Sequence, residues 1–260
     1  MALSTPDLLD TITFGVSDTE FTSNSITPTG GALLIVGVTM GVGGSVSFTA
    51  SIDDTLADTG SWSQVTELID IGSATLRESI FYAVLGSSPG SGTVTVTTTA
   101  SISRVGIHVI EITGQDASPV AQNKTNTGTA STLTVTLDST PETDSCVIGV
   151  VGAGVGTNDI GFGSGFTEIA DTTIGASGQH KIQSQYDQDN ADTTCDWSNL
   201  PTTYSAGCAI EISAAESGPG DVSESDGITI GESVSMGGTL GGINIAYDNA
   251  DYQDAGVKIS

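Results

Sequence analysis

Arg104-Val105-Gly106-Ile107-His108-Val109-Ile110-Glu111-Ile112-Thr113 returns one hundred residues later as Ser205-Ala206-Gly207-Cys208-Ala209-Ile210-Glu211-Ile212-Ser213. Apolar and polar side chains alternate through Ile110-Glu111-Ile112 and Ile210-Glu211-Ile212, the period of a strand with one buried face. The echo extends upstream. Val65-Thr66-Glu67-Leu68-Ile69-Asp70 matches Phe166-Thr167-Glu168-Ile169-Ala170-Asp171 at an offset of 101. Leu34-Ile35-Val36-Gly37-Val38 has the character of Val147-Ile148-Gly149-Val150-Val151, and residues 179–187 occupy the place of 77–85. Near-equal offsets point to a duplication, with blocks at about 30–113 and 146–213.

The remaining apolar runs are also short and strand-like. Ile12, Phe14 and Val16 alternate with Thr and Gly, as do the valines and threonines of Thr93–Thr97 and the apolar residues of Leu133–Leu137. Ala32–Val38 is apolar on both faces, as a central strand requires. Glycine and β-branched residues are frequent, and both are poor in helix interiors. Short strands between turn signals predict an all-β chain. Two related four-stranded blocks closing on each other predict a jelly-roll-like β-sandwich over 1–213. Gly114–Ala130 reads as a long polar surface loop. Beyond it all, 214–260 reads as an extended acidic C-terminal arm or a small β appendage, with eight acidic residues and one basic. Its Ile228-Thr229-Ile230 and Ile243-Asn244-Ile245 are expected to gain stability by adding to a sheet edge of a neighbouring subunit.

The totals exclude several classes. The 31 acidic and 5 basic side chains give a formal charge of −26, which repels nucleic acid and anionic lipid. No apolar run approaches the ~20 residues of a membrane helix. Cys146, Cys195 and Cys208 are odd in number and lack metal spacing, as for a protein folded in a reducing compartment. Residues 1–7 carry no basic region and no apolar stretch, so a chain made in the cytoplasm without a signal peptide is expected.

Candidate chemistry is sparse. Gly86-Ser87-Ser88-Pro89-Gly90 fits Gly-x-Ser-x-Gly, but a Thr/Val strand follows where a nucleophile elbow needs a helix. Gly152-Ala153-Gly154-Val155-Gly156 lacks the spacing and the helix of a dinucleotide turn. His108 shares the isoleucine face of its strand and reads as a satisfied core or interface histidine rather than a base. His180, beside Lys181, is expected at solvent. Glu67/Glu168 and Glu111/Glu211 are repeat-related carboxylate pairs, and alternation turns Glu111 and Glu211 away from the isoleucine face. Asp187, Asp189 and Asp192 in Asp187-Gln188-Asp189-Asn190-Ala191-Asp192 resemble part of a calcium loop, without the EF-hand glycine and terminal glutamate. Asp248-Asn249-Ala250-Asp251 repeats Asp189-Asn190-Ala191-Asp192. If a cation binds, calcium at these turns is the expectation. Trp62 and Trp197 each stand beside a turn, where they would stack on sugar rings or plug the ends of the sandwich.

Three sets of residues carry a resemblance. They are the opening Gly30-Gly31-Ala32-Leu33-Leu34-Ile35-Val36; Ser61-Trp62-Ser63 ahead of Val65-Thr66-Glu67-Leu68; and the closing Val109-Ile110-Glu111-Ile112-Thr113-Gly114. Gly165-Phe166-Thr167-Glu168 and Ala209-Ile210-Glu211-Ile212 echo them, and a linker leads to Ser225-Asp226-Gly227-Ile228-Thr229-Ile230-Gly231-Glu232-Ser233-Val234. This plan resembles the β-sandwich and jelly-roll structural proteins of tailed-virus particles. The resemblance implies a non-enzymatic virion component made in the host cytoplasm, a capsid decoration protein or a tail or fibre subunit. Its partners would be copies of itself and other virion proteins, met through sheet edges, the N-terminal strand and the arm. The alternative is a carbohydrate-binding module or adhesin, calcium-dependent, with Trp62 and Trp197 on a surface glycan.

Overall fold

In a computed structural model of the chain, residues 2–70, 74–154, 158–175, 180–188 and 192–215 are described. The chain divides into a unit of Met1–Ser217 and a second of Gly218–Ser260. The arm beyond 215, Asp189 and Asp248–Asp251 lie outside the described residues.

Sixteen strands and no helix make up the described chain. The first block holds β1 (Asp7–Phe14), β2 (Asp18–Thr22), β3 (Leu33–Gly43), β4 (Ala50–Asp54), β5 (Ser63–Asp70), β6 (Ala74–Val84), β7 (Val94–Ile102) and β8 (Arg104–Ile112). The second holds β9 (Gln115–Gly128), β10 (Leu133–Thr136), β11 (Cys146–Gly154), β12 (Gly161–Phe162), β13 (Thr167–Ile174), β14 (His180–Gln188), β15 (Thr194–Ser198) and β16 (Ser205–Ala214). The all-β sandwich is as expected. Each block, however, has eight strands where four are expected, and the surface loop expected at 114–130 is the strand β9.

The two blocks share one topology. Block one forms sheets β1-β8-β3-β6-β5 and β2-β7-β4; block two forms β9-β16-β11-β14-β13 and β10-β15-β12. Counting within each block, strands 1 and 8, 2 and 7, and 3 and 6 are paired antiparallel. Such nesting is what a long hairpin gives when it rolls up on itself, and it defines a jelly roll. The innermost pair is missing. The fourth strand pairs with the seventh and the fifth with the sixth.

Alternation along the strands sorts the apolar residues into layers. Leu34, Val36, Val38 and Met40 of β3 and Val105, Ile107 and Val109 of β8 face the small sheet of their own block and pack with Phe21, Val94 and Val96. Val147, Val151 and Ala153 of β11 do the same against Leu133, Val135 and Trp197. The alternate residues form a third core between the two large sheets. Leu33, Ile35, Ile80, Ile110 and Ile112 there meet Cys146, Ile148, Val150, Ile182, Cys208, Ile210 and Ile212. The order of layers is therefore small sheet, large sheet, large sheet, small sheet.

Register fixes the repeat. Leu33, Ile35 and Gly37 stand opposite Ile112, Ile110 and His108. Cys146, Ile148 and Val150 stand opposite Ile212, Ile210 and Cys208. So Gly37 corresponds to Val150 and His108 to Cys208. The same rows carried through β6 and β14 place Glu78 with Ile182 and Arg77 with Lys181. In β13 a bulge between Glu168 and Ala170 shifts the count. Glu67, opposite Glu78, then corresponds to Thr172, opposite Ile182, rather than to Glu168.

Equivalent residues also meet. A Cβ on Gly37 would lie within 3.0 Å of both Val150 methyls, so the two equivalents touch at the centre of the interface. Around that point β1 lies on β13 and β9 on β5. This is a pseudo-two-fold arrangement within one chain. It predicts matched losses: Ile35→Ala and Ile148→Ala, on equivalent positions, should each cost about 2–5 kcal/mol. Val16→Ala, at a residue 67% exposed, should stay within about 0.5 kcal/mol. Urea denaturation of the three variants checks it.

Candidate functional site

Of the polar groups that sequence singles out, His108 and Glu67 lie at the seam between the two large sheets. His108 is fully buried there. Its Nδ1 is 2.7 Å from Ser184 Oγ and its Nε2 is 3.0 Å from Thr172 Oγ1, which in turn is 3.1 Å from Thr11 Oγ1. A neutral imidazole donates one of those bonds and accepts the other. Burial pushes the ring's pKa down to about 3, so it stays neutral at pH 7. This is the satisfied interface histidine that the sequence predicts.

The dyad repeats the contact with other chemistry. At the positions equivalent to Thr11, Thr172 and His108 stand Thr125, Glu67 and Cys208. Thr125 Oγ1 donates to Glu67 Oε2 at 2.5 Å, and Cys208 Sγ lies 3.7 Å from the Glu78 carbonyl, to which it donates. Burial, then the charges of Glu78 and Glu67, push the Cys208 thiol well up.

Glu78 was not singled out by sequence. Its carboxyl is buried; Oε2 accepts from Thr39 Oγ1 at 2.5 Å, and Oε1 has no partner. Burial raises its pKa well above the usual carboxylate range, against the lowering effect of the bonds from Thr39 and the Ser79 amide. A Cβ at Gly152 would collide with this carboxyl and with Thr39. The signal was in the sequence: alternation in Leu76, Glu78, Ile80 and Tyr82 puts Glu78 on the isoleucine face.

His180 is 2% exposed, not at solvent as expected, and Lys181 beside it is buried to the same degree. They begin β14, which lies between β11 and β13. His180 Nε2 is 3.1 Å from the Tyr204 hydroxyl, and its ring fills the space above Gly41. Burial first, then Arg104, lowers the ring's pKa to about 4. Lys181 Nζ reaches Asp171 Oδ2 at 2.9 Å, Asp159 Oδ1 at 3.2 Å and the Asn158 carbonyl at 2.9 Å. Its equivalent, Arg77, donates to the Phe48 carbonyl at 2.5 Å and stacks 5.2 Å over the Phe48 ring. Both cations thus hold the chain just ahead of the fourth strand of their block.

Glu111 and Glu211 do face away from the isoleucine core, yet they are not solvated. Glu111 accepts from the Thr29 amide at 2.7 Å and the Thr29 hydroxyl at 2.9 Å. Glu211, 2% exposed, accepts from the Glu142 amide at 2.7 Å and Gln122 Nε2 at 2.6 Å. Thr29 and Glu142 stand at the same distance ahead of β3 and β11. The pair fastens equivalent loops and is not placed as a catalytic dyad.

Trp62 is half-buried and donates to Asp54 Oδ2 at 2.8 Å. Trp197, 1% exposed, donates to Gln183 Oε1 at 2.6 Å. Both plug their sandwiches, and Trp197 offers no ring face to a sugar. Asp187 is buried, and the exposed Asp192 accepts from the Thr194 amide and hydroxyl at the start of β15. Among the described residues, no group of three His, Cys, Asp or Glu is placed to hold a metal. Cys195 is buried beside Gln185 Nε2, and burial raises its pKa strongly. Ser87 and Ser88 sit in an exposed loop that runs on into the strand β7.

Shallow depressions mark the surface of the described residues. One of about 480 Å³ lies between β5 and β9, lined by Gln64, Thr66, Asn123, Lys124 and Thr125 among others. Another, of about 410 Å³, is lined by Thr132, Thr134, Phe162, Ser164, Asp196 and Ser198, with Gly163 and Trp197. Neither lining pairs a nucleophile with a base. The seam itself is closed: its neutral imidazole, buried carboxyl and thiol fix alignment between sheets. Compared with protein-family models, curated proteins and solved structures, the chain has no match.

The buried groups set three measurable expectations. The pKa of His108 is depressed on folding, so between about 6.5 and 3 the unfolded chain binds a proton that the native state refuses, and stability falls on acidification across that window. Glu78 acts with opposite sign: its pKa is raised on folding, so as pH rises past the unfolded value of about 4.5 the unfolded chain releases a proton more readily than the native one, and stability falls. Glu78→Gln should therefore raise the urea midpoint at pH 8, and the gain should vanish by pH 4. Glu211→Ala strands a buried amide and should cost about 1–3 kcal/mol, more than Glu111→Ala at its half-exposed site; paired denaturation curves measure both.

Proposed function

We propose that the chain is a non-enzymatic structural subunit of a virus particle, a capsid decoration protein or a tail or fibre component. In this reading it assembles with copies of itself and with other virion proteins through free sheet edges and the arm beyond Ala215. The observation that carries the proposal is how the reactive side chains are used. His108 has both nitrogens engaged, Glu111 and Glu211 fasten loops, Arg77 and Lys181 hold chain segments, and the three cysteines are buried. Side chains that could do chemistry are spent on stiffening two jelly rolls fused back to back. Such a block suits a rigid surface component. Its net charge of −26 keeps exposed faces from sticking to one another.

The N-terminal segment has an internal role in this scheme. Leu3 is buried in the core between the large sheets, and its carbonyl accepts from Gln188 Nε2 at 2.9 Å. The Ser4 amide donates to the Thr113 carbonyl at 2.9 Å. The segment ties one block to the other, which leaves assembly to the sheet edges and the arm. The glycan-binding alternative is disfavoured by the enclosure of Trp197.

Mass-spectrometric inventory of purified particles, with immunogold labelling of intact ones, tests the reading. The chain should appear in stoichiometric amount and be labelled at the particle surface. Particles that lack it overturn the proposal. A glycan screen with and without chelator should give no retained ligand.

A further inference from the structure

β13 and β14 carry a carboxyl and an amine side by side. Asp171 stands opposite Gln183 and Thr173 opposite Lys181, so Asp171 and Lys181 are diagonal neighbours on one face of the sheet. That face is turned toward the small sheet of its block, where Trp197 donates to Gln183. The Lys181 and Asp171 side chains are 3% and 7% exposed, and Nζ lies 2.9 Å from Oδ2. Lys124 with Asp138, by contrast, is an open pair, 41% and 71% exposed. Enclosing two ions carries a desolvation cost, which their attraction offsets only when the remaining polar atoms are also bonded. Here one is not. Asp171 Oδ2 accepts from the Ile160 amide at 2.8 Å as well as from Lys181, whereas Oδ1 is buried and has no hydrogen bond.

The fold does not impose this pair. In the first block the equivalent positions hold Arg77 and Thr66, joined only by a 3.5 Å bond from Nη1 to Oγ1. A guanidinium delocalises its electrons, and a hydroxyl offers no carbonyl carbon. An amine facing a carboxyl belongs to the second block.

We propose that Lys181 and Asp171 are joined by an isopeptide bond, which the folded chain makes with its own side chains. In the step, the Nζ lone pair adds to Asp171 Cγ. The Nζ–Cγ bond forms and the Cγ–Oδ1 bond breaks. Nζ gives up two protons, and Oδ1 leaves with them as water. The opposite charges of the pair cancel, so no oxidant, activated group or co-reactant is consumed. Asp159 Oδ1, 3.2 Å from Nζ on a side chain 97% exposed, is the base that first takes a proton from the amine. The sheet supplies proximity: both groups are held in contact, which makes a bimolecular condensation unimolecular. Exclusion of bulk water then favours a neutral amide over two enclosed ions. The product leaves each remaining atom bonded. Oδ2 keeps the Ile160 N–H as an amide carbonyl, and the one hydrogen left on Nζ points to the Asn158 carbonyl, 2.9 Å away. The unbonded Oδ1 is gone. The bond staples β13, an outer strand, to β14 inside the sheet. It does not depend on the virion reading, since it concerns how the second block is closed and not what the chain joins.

Mass spectrometry of the full chain tests it. The intact protein should weigh one water less than its sequence. After unfolding, trypsin should fail to cut behind Lys181, and fragmentation should place the lost water between residues 171 and 181. Lys181→Arg installs the residue that the first block already carries at this position, so the variant folds; it should show the full mass. Asp171→Ala should do the same. In Asp159→Asn the loss of water should be slowed at least tenfold after synthesis, and an unchanged rate overturns the assignment of the base. An unmodified chain of full mass that trypsin cuts behind Lys181 overturns the proposal. So does a water loss that persists in Lys181→Arg, because it then arises elsewhere in the chain.

Discussion

Burial of one isoleucine-rich face against its own copy is the constraint on which the rest depends. Each large sheet is apolar on both sides. One side is covered by the small sheet of its own block, and the other would lie open to water if the block stood alone. Ile35, Ile110 and Ile112 against Ile148, Ile210 and Ile212 close that second side. Fully burying such a side chain contributes about 1.5–3 kcal/mol, so a dozen of them outweigh any single polar contact here. The close approach is set at the centre, where Gly37 makes room for Val150. Glycine on one block and valine on the other let a pseudo-symmetric interface solve a problem that strict symmetry would not: two valines would clash, and two glycines would leave a void.

Asymmetry of this kind recurs through the seam. Thr11, Thr172 and His108 on one side of the dyad correspond to Thr125, Glu67 and Cys208 on the other. Each set places one hydroxyl against a polar partner across the sheets. Glu78 faces the cavity left by Gly152, while its equivalent, Ile182, packs with apolar neighbours. A copied framework has diverged where the two halves touch. It has kept its fasteners, Glu111 with Glu211 and Arg77 with Lys181, where each half closes on itself. Buried polar groups of this sort fix one register between two otherwise greasy sheets.

How much was legible follows from burial. The paired Ile-Glu-Ile strands were readable because central strands carry strong apolar patterns, and so were the repeat, the all-β class and the interface position of His108. β9 was read as a loop because an outer strand is half-solvated; Pro119 and its run of Gln, Asn and Thr carry no alternation. β2, β4 and β12 have five, five and two residues, too few to declare a period, and the strand count per block came out half its value. The Glu67–Glu168 match failed because the true counterpart, Thr172, stands four residues further on, and the bulge at Ile169 accounts for only one of the four. His180 looked solvated because residue type was weighed over the strand's place between two others. Tyr204, whose hydroxyl meets its ring, stands 24 residues away.

The most direct measurement of the central claim is a double-mutant cycle on the two residues at the dyad. Gly37→Val should destabilise by overpacking and Val150→Gly by leaving a hole, each by about 1–3 kcal/mol. Combined in one chain, the swap returns a glycine facing a valine. If the halves pack as described, the double variant recovers most of both losses, with a coupling energy above about 1 kcal/mol. Losses that simply add would mean that Gly37 and Val150 do not meet and that the two jelly rolls are not joined through this face.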